Sequence, residues 1–568
     1  MDLWFKFFIL WSKLLFMTPV PSISSFSHLV PGQMTVQEQA LVLNALESLT
    51  LCIEEFKVVV QDLRDEVNHL KGEDGKPLIS GKNQKSPSLS HRNVSSETAR
   101  KTLGQPRKIK PIKFDKSRRI DEIQRINFTD LSALPPDVVS KGYATSHYQS
   151  LEIRAKLIAV ERAIYYSPSQ NKTYTADLPS DYQMGSDYTQ ELKGYICLFK
   201  FSLGLSIPKI SEFLQMQGIA ISNGTISNIL LENGESLKNE QLAIHQAGLD
   251  LGLYAATDTT ASRFNGANYN THVFGNEAYT AYFTKPHKDR QTIVDLLRLD
   301  QPRTYLLNEA TFKLYEYLKI PAKITKPLIR LIKEGTYLDK EILIKQIKAV
   351  LKEEDYQKHE QKLLEGAYLA AYRAQTPLHI LLCDDAPQYK LLALLIAACW
   401  VHAGRHFKKL HPKIIYHQQL LDEFLNRFWA FYKKLKEYKE KPDSIIATKL
   451  ENEFDTLFDT KTGYQELDDR IQKTKANKHE LLVVLKHPYV PLHNNDSELA
   501  ARKEVRHRDI SLQTRTEKGT QAKDVFFTII QTAKKLGVNA YQYIMDRVNK
   551  KFTMTPLHIL IQQKYETI

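Results

Sequence analysis

The chain has 568 residues, 42% of them hydrophobic and 10% aromatic, which is enough for several structural units and a sizeable buried core. Its formal charge of +13 and isoelectric point near 9.1 favour a polyanionic partner. Four cysteines (Cys52, Cys197, Cys383, Cys399) are too few for a disulfide framework and suit a reducing cytoplasm. No GxSxG, Walker loop, GxGxxG or HExxH occurs, which argues against hydrolase, nucleotide-driven and zincin chemistry.

Residues 1–33 open on an apolar run from Leu3 to Met17, interrupted by Lys6 and Lys13. It is short for a membrane span, and Asp2 does not suit the positive head of a signal peptide, so no stable membrane insertion is expected. The run reads as an upstream extension with Met34 the working start; a peripheral membrane helix is the other reading. Over residues 34–71 the apolar positions Val42, Leu46, Leu49, Ile53, Phe56, Val60, Leu63, Val67 and Leu70 alternate spacings of four and three. That seam predicts a coiled coil joining copies of the chain as a homodimer or higher oligomer, as against a long helix packed on its own domain. Residues 72–125 are poor in aliphatics and carry the basic run Arg107, Lys108, Lys110, Lys113, Lys116, Arg118 and Arg119. Such a segment cannot bury enough apolar surface to fold alone and reads as a disordered linker, either simply solvated or adding contacts to a DNA backbone.

Residues 126–190 read as a small, mostly β unit, with strand-like alternation over 151–160 and 163–167 and no zinc-ligand cysteine pair. Residues 191–249 read as helical. Within them, residues 207–218 form a helix stopped by Gly218, and Ser222-Asn223-Gly224-Thr225 opens a second helix with N-cap chemistry. Helix, glycine turn, capped helix is the helix-turn-helix pattern, whose second helix can lie in the major groove. Lys209, Asn223 and Thr225 are its candidate DNA contacts; a helical hairpin without DNA is the plainer reading.

From residue 250 the hydrophobic period changes to two. Residues 251–258 read as a strand delivering Asp258 at its end, and 269–274 with 278–284 as a hairpin around Gly275-Asn276-Glu277. Residues 378–383 read as a strand with Asp384 and Asp385 beyond it. Helical insertions are expected at about 300–375 and 390–480, and a C-terminal helical region over 511–568. The fold class is therefore α/β, a mixed sheet over 250–510 interrupted by large helical insertions.

Beyond Pro491, the residues Asn494, Asn495, Asp496 and Ser497 offer N-cap side chains to a helix carrying Glu498, with Arg502 and Arg506 following at spacings of four on the same face. A capped, salt-bridged surface helix is the simple reading. Taken with Asp258 and Asp384, Glu498 completes three carboxylates from two strand ends and a helix. Such a set suits two hard cations, Mg2+ or Mn2+, supporting an in-line displacement at phosphorus. Arg405 and Lys408 are candidate phosphate contacts, and Arg502 and Arg506 extend the acid-bearing face toward phosphate. Cys399, His402 and His406, with Cys383 nearby, are a weaker zinc set without a second close pair; helix packing is the alternative.

Asp258-Thr-Thr-Ala-Ser-Arg-Phe-Asn-Gly266, Cys383-Asp-Asp-Ala-Pro-Gln-Tyr389, Cys399-Trp-Val-His402 and Leu492-His-Asn-Asn-Asp-Ser-Glu-Leu-Ala-Ala-Arg502 resemble, in the same order, the motifs of insertion-sequence sixty-six family transposases. The segments Gly72-Glu-Asp-Gly-Lys-Pro77, Tyr165-Tyr-Ser-Pro-Ser-Gln170 and Ala533-Lys-Lys-Leu-Gly-Val538 extend the similarity from the heptads to about Lys550. The resemblance implies an RNase-H-like catalytic core and an Asp-Asp-Glu triad of Asp258, Asp384 and Glu498 holding divalent metal. It also implies cleavage at element ends and joining of 3′-hydroxyls to target DNA. Terminal repeats, target DNA and accessory proteins of the same element are the implied partners, and the bacterial cytoplasm, at the nucleoid, the implied location. Arg263 is similar to the family's arginine after the first aspartate and would orient the site or DNA. This chain departs from the pattern at Thr259 and Ala261, where relatives usually carry a second acid and a glycine, and at His493, where many carry Asp. Asp385 is a neighbour that could replace Asp384. A catalytically degenerate DNA-binding protein and a nuclease that cuts without joining are the alternatives.

Overall fold

The structure, a computed structural model, describes residues 35–70, 120–127, 143–148, 150–151, 153–179, 181–332, 335–375 and 378–566. The apolar extension, the motif at 72–77 and the basic run of the linker lie outside the described residues. Two units are distinguished. Residues 74–157 form one, and their described parts contain neither helix nor strand. All elements named below belong to the other.

Helix α1 (Val36–Leu70) begins with a capping box: Thr35 Oγ1 accepts the Glu38 N–H at 3.3 Å and Glu38 accepts the Thr35 N–H at 2.8 Å. Its polar face docks on the later insertion. The Asn44 amide exchanges hydrogen bonds with Gly463 O and Gln465 N, and buried Glu47 accepts the backbone N–H groups of Lys413 and Ile414. The seam residues Leu46, Leu49, Ile53 and Phe56 stay exposed. The hairpin β1 (Ile164–Ser167) and β2 (Lys172–Thr175) follows, with nearly every side chain exposed. The expected strand over 151–160 is absent among the described residues, because no partner segment pairs with it.

Helices α2 (Gln190–Phe201), α3 (Ile207–Met216), α4 (Asn223–Ser236) and α5 (Lys238–Leu251) come next. Between α3 and α4, Gly218 takes φ +84°, and Ser222 caps α4 by accepting the Thr225 N–H at 3.0 Å. α5 runs to Leu251, so β3 (Ala255–Phe264) starts later than its apolar lead-in suggests, and Asp258 is its fourth residue rather than its end. β3, β4 (Ala267–Gly275) and β5 (Thr280–Lys285) form an antiparallel meander. Its first turn is Asn265-Gly266, both at positive φ (44° and 81°), the geometry an Asn-Gly pair favours.

A first insertion follows: α6 (Arg290–Leu297), the short pair β6 (Tyr305–Leu306) and β7 (Tyr337–Leu338), α7 (Glu309–Tyr317), α8 (Lys340–Lys348) and the long α9 (Glu353–Gln375). The chain then re-enters the sheet as β8 (Leu378–Cys383) and β9 (Ala393–Ala398), parallel to β3, giving the order β5-β4-β3-β8-β9. β9 corrects the reading of 390–480 as wholly helical. Its run of Ala, Leu and Ile favours helix locally, but pairing beside β8 decides its state. The second insertion is α10 (Trp400–Lys408), α11 (Ile415–Glu440), α12 (Ser444–Phe458) and α13 (Gln465–Lys475), packed around Trp400, Phe407, Phe424, Phe428, Phe454 and Phe458. The chain returns through α14 (Asn495–Ser511), α15 (Glu517–Lys535), α16 (Ala540–Val548) and α17 (Leu557–Glu566).

One core joins the β3–β5 meander, α2 to α5 and α15 to α17. α15 also closes the sheet edge. The N–H groups of Thr280, Tyr282 and Thr284 on β5 donate to Thr532 (3.1 Å), Thr528 (3.0 Å) and Asp524 (2.6 Å). A step of two on a strand, about 6.8 Å, nearly matches a step of four on a helix, about 6 Å, so side chains finish the ladder an edge would leave open. α4 crosses α15 so closely that a Cβ at Gly234 would lie 2.4 Å from Ala522 Cβ. The helix-turn-helix-like pair is thereby seated on the sheet's own covering helix.

Candidate active site

Ala255 and Ala256 of β3 lie level with Leu381 and Leu382 of the parallel β8. Two residues on, Asp258 lies within β3 and Asp384 just past the end of β8, close enough for the Asp384 charge to raise the Asp258 pKa. Asp258 and Ser262 share a face of β3 by the two-residue period, and α14 lies against it. Ser262 Oγ donates to Glu504 on α14 at 2.9 Å.

α14 is fastened to β3 at both ends. At its start, Asn494 does not cap the helix; its amide instead donates to Thr257 O at 2.6 Å. Asn494 thus serves the strand rather than the helix. The Asn494 N–H donates to Cys399 Sγ at 3.3 Å, and the Trp400 N–H to Leu492 O at 3.0 Å, tying the segment before α14 to the start of α10. Further along, Glu504 accepts from Ser262 and from Lys523 (2.9 Å), and Arg508 donates to Ala261 O. Glu498 is held between these fastenings, on the wall facing the two aspartates.

The electrostatics agree. Burial, helped by the Asp384 and Glu498 charges and opposed by the Thr259 N–H (2.8 Å) and Arg405, pushes the Asp258 carboxyl up to about 7. Glu498 pairs with Arg405 of α10 at 2.9 Å; Arg502 is half-buried and Arg506 exposed on its own helix. Arg405 also donates to His402 Nε2 at 2.9 Å. A guanidinium only donates, so Nε2 accepts, and the His402 proton sits on Nδ1, 3.8 Å from Glu498. Burial and Arg405 both lower the His402 pKa. Asp385 takes a different partner, His406 at 2.8 Å, whose hydrogen bond lowers its pKa, while Asp384 accepts the Ala386 N–H at 3.1 Å. Asp384 and Glu498 lie near enough to Asp258 for their charges to raise its pKa, and three carboxylates against one guanidinium leave an excess of negative charge of the kind hard divalent cations suit.

Among the described residues, the group whose ligand atoms come together is a different one that shares only Glu498 with the three carboxylates. Cys399, His402 and Glu498 offer ligand atoms within 4.8 Å of one another. Burial raises the Cys399 thiol, which already accepts a backbone N–H, so it is a poor ligand at neutral pH. His406 is drawn away to Asp385, which breaks the expected Cys399–His402–His406 grouping.

The other face of β3 carries a brace the sequence did not announce. Thr259 Oγ1 lies 2.8 Å from Tyr389 OH and 3.2 Å from His272 Nδ1, and His272 Nε2 lies 3.0 Å from His287 O. The carbonyl only accepts, so Nε2 carries the proton, Thr259 donates to Nδ1, and Tyr389 donates to Thr259. The residue at the relatives' second-acid position therefore ties β3 to the turn five residues after Asp384. Tyr389, His272, Asn494 and Glu504 do not figure among the expected site residues, although Tyr389 and Asn494 lie inside quoted motifs.

The remaining expected contacts are scattered. Arg263 is exposed, five residues along β3 and about 17 Å from Asp258, too far to orient the carboxylates. Lys408 lies 5.6 Å over the Trp429 ring, next to Arg405. Lys209 is exposed and paired with Glu212 at 2.7 Å, Asn223 is exposed, and Thr225 is half-buried against Ser222.

An aspartate on the mixed sheet, a second just past the neighbouring strand, and a glutamate paired with an arginine on packed helices make an acid-lined α/β site of the kind that suits hard cations and phosphate. Residues 352–522 match the family described as Transposase IS66 family, a span that includes Asp384 and Glu498 and begins after Asp258. The chain is also similar to "Uncharacterized protein y4jO" of Sinorhizobium fredii (strain NBRC 101917 / NGR234), with 30% identity over 322 residues, covering 56% of this chain and 99% of that protein. The chain belongs to the IS66 family of transposases. It is accordingly a DNA-processing protein of an insertion element, with DNA as its partner. Among the described residues no helix is long and apolar enough to cross a membrane.

Proposed function

We propose that the protein cuts DNA at the ends of its element and joins the freed 3′-hydroxyls to target DNA, using Asp258, Asp384 and Glu498 on an RNase-H-like core. The observation that carries this reading is the approach of Asp384, one residue beyond β8, to Asp258 on the paired β3, with Glu498 presented by a helix pinned to the same strand. The strand order, an antiparallel meander followed by two strands parallel to the first, supports the core assignment.

The three carboxylates would hold Mg2+ or Mn2+, in the number of two. Such ions would activate the attacking oxygen and stabilise the departing one. The chain's own groups do the rest. Arg405 neutralises Glu498 and faces the acids, a post from which a guanidinium can also grip phosphate oxygens. The neutral His402 keeps Arg405 in place, and the Thr259–Tyr389 bond holds the Asp384 turn against β3. The α3–α4 pair would read element ends, with Asn223 exposed at the start of the second helix. The open seam of α1, on a helix docked through its polar residues, supports pairing with a second copy.

The test is end cleavage and strand joining by the full chain with Mg2+. Asp258→Asn, Asp384→Asn and Glu498→Gln should each lose both steps by several orders of magnitude while still binding end DNA. Joining retained in any one of them removes that residue from the mechanism.

A further inference from the structure

A second group of polar residues on α14 lies one face round from Glu498. Lys503, His507 and Ser511 recur at spacings of four, so they line one side of the helix, about 100° from the side carrying Glu498, Arg502 and Arg506. This side meets the end of α2, and the two helices exchange lysines. Lys200 of α2 donates to Ser511 Oγ at 2.8 Å, and Lys503 of α14 donates to Ser202 O at 3.1 Å. Between them sits the His507 imidazole, 7% exposed, with no hydrogen-bond partner for Nε2.

Both lysines are half-buried, yet neither has an ion pair among the described residues. The nearby acids are already committed. Glu504 is bound to Lys523 and Ser262, and Asp524 to Thr284 and Lys523. Burial pulls Lys200 down to about 8, and burial with Lys534 and Arg506 lowers Lys503. Burial, then Lys200, Lys523 and Lys503, push His507 to about 3. Cations gathered in partial burial without a counter-charge oppose folding. An anion supplied from outside would offset that cost.

We infer that Lys200 and Lys503, with Arg506 at the rim, form a seat for a backbone phosphate of bound DNA at the junction of α2 and α14. Lys503 is five residues past Glu498, about 8 Å along the helix axis. A strand lying at the acids and passing over Arg502 and Arg506 would reach it. A phosphate oxygen would replace Ser511 and Ser202 as the lysines' acceptors and complete their charge. The seat would link α2, which packs against the end-reading α3–α4 pair, to the helix that carries Glu498. This inference rests on the transposase reading for its ligand, but not on the metal site.

Two measurements on the full chain test it. Amine-reactive labelling of the wild type should modify Lys200 readily, given its lowered pKa, and duplex DNA should protect Lys200 and Lys503. Protection by inorganic phosphate at matched ionic strength would mark a seat open to free phosphate, and protection by DNA alone a seat for a strand-borne phosphate; no protection by either overturns the inference. In the second, Lys200→Met with Lys503→Met should weaken duplex binding roughly tenfold and make the slope of log affinity against log salt shallower by about 0.9, while Lys200→Arg with Lys503→Arg keeps both. An unchanged slope in the methionine variant overturns the seat alone. A wild type whose DNA binding is absent or insensitive to salt overturns the transposase reading beneath it.

Discussion

α14 and α1 both read in sequence as amphipathic helices, and each inverts what that reading suggests. α14 buries three polar residues, Ser497, Glu504 and His507, while Leu499 and Ile510 are exposed. α1 exposes Leu46, Leu49, Ile53 and Phe56 of its apolar seam and buries Glu47. The contrast separates two tasks. Buried polar groups with fixed partners specify one register, which α14 needs if Glu498 is to meet two aspartates. An apolar stripe left in water adds nothing to the monomer and suits a surface kept for another chain.

The largest expected effect breaks the α14 fastening. Glu504→Ala leaves Lys523, 2% exposed, without its main counter-charge and should cost about 3 kcal/mol by denaturant unfolding. A Glu504→Met, Lys523→Met pair should recover most of that stability yet still cut DNA slowly, because the register pin is gone.

Next is Asp258 in metal-free protein. Its folded pKa of about 7 lies above the ordinary carboxylate value near 3.9, so between those limits the folded state holds a proton the unfolded state has lost. Stability therefore falls as pH rises through that window. Asp258→Asn should flatten this part of the pH–stability curve and gain on the order of 2 kcal/mol at pH 8. The slope left below about pH 6 belongs to Asp524, whose carboxyl burial raises to about 6.

Smaller effects sharpen the α1 side. Glu47→Ala removes the acceptor for two N–H groups at the start of α11 and the partner of His417 (3.2 Å), and should cost about 1–2 kcal/mol. Hydrogen exchange should localise the loss to α1 and the first turn of α11. Thr259→Val or Tyr389→Phe should cost about 1 kcal/mol each and slow cleavage without weakening end binding, with Thr259→Ser near wild type. Leu49→Glu with Ile53→Glu should change monomer stability by less than about 0.5 kcal/mol, yet abolish self-association in sedimentation.

The strands bearing Asp258 and Asp384 and the helix bearing Glu498 were legible because apolar period and turn residues mark them locally. What was not legible depends on partners far along the chain. Residues 393–398 favour helix by composition and become strand only beside β8. Asn494 has the chemistry of a cap and is used instead 237 residues away, at Thr257. Arg405 was read as a phosphate contact, and its bond to Glu498 spans 93 residues. The Asn265-Gly266 turn is the opposite case, a local signal in plain view that was passed over.

Mn2+ calorimetry at pH 8 on the full chain and its single variants addresses the central claim most directly. Asp258→Asn, Asp384→Asn and Glu498→Gln should each lose metal binding, while Cys399→Ser and His402→Ala keep it. Binding that survives Asp258→Asn but disappears in Cys399→Ser would put the ion on Cys399, His402 and Glu498, and would contradict the account.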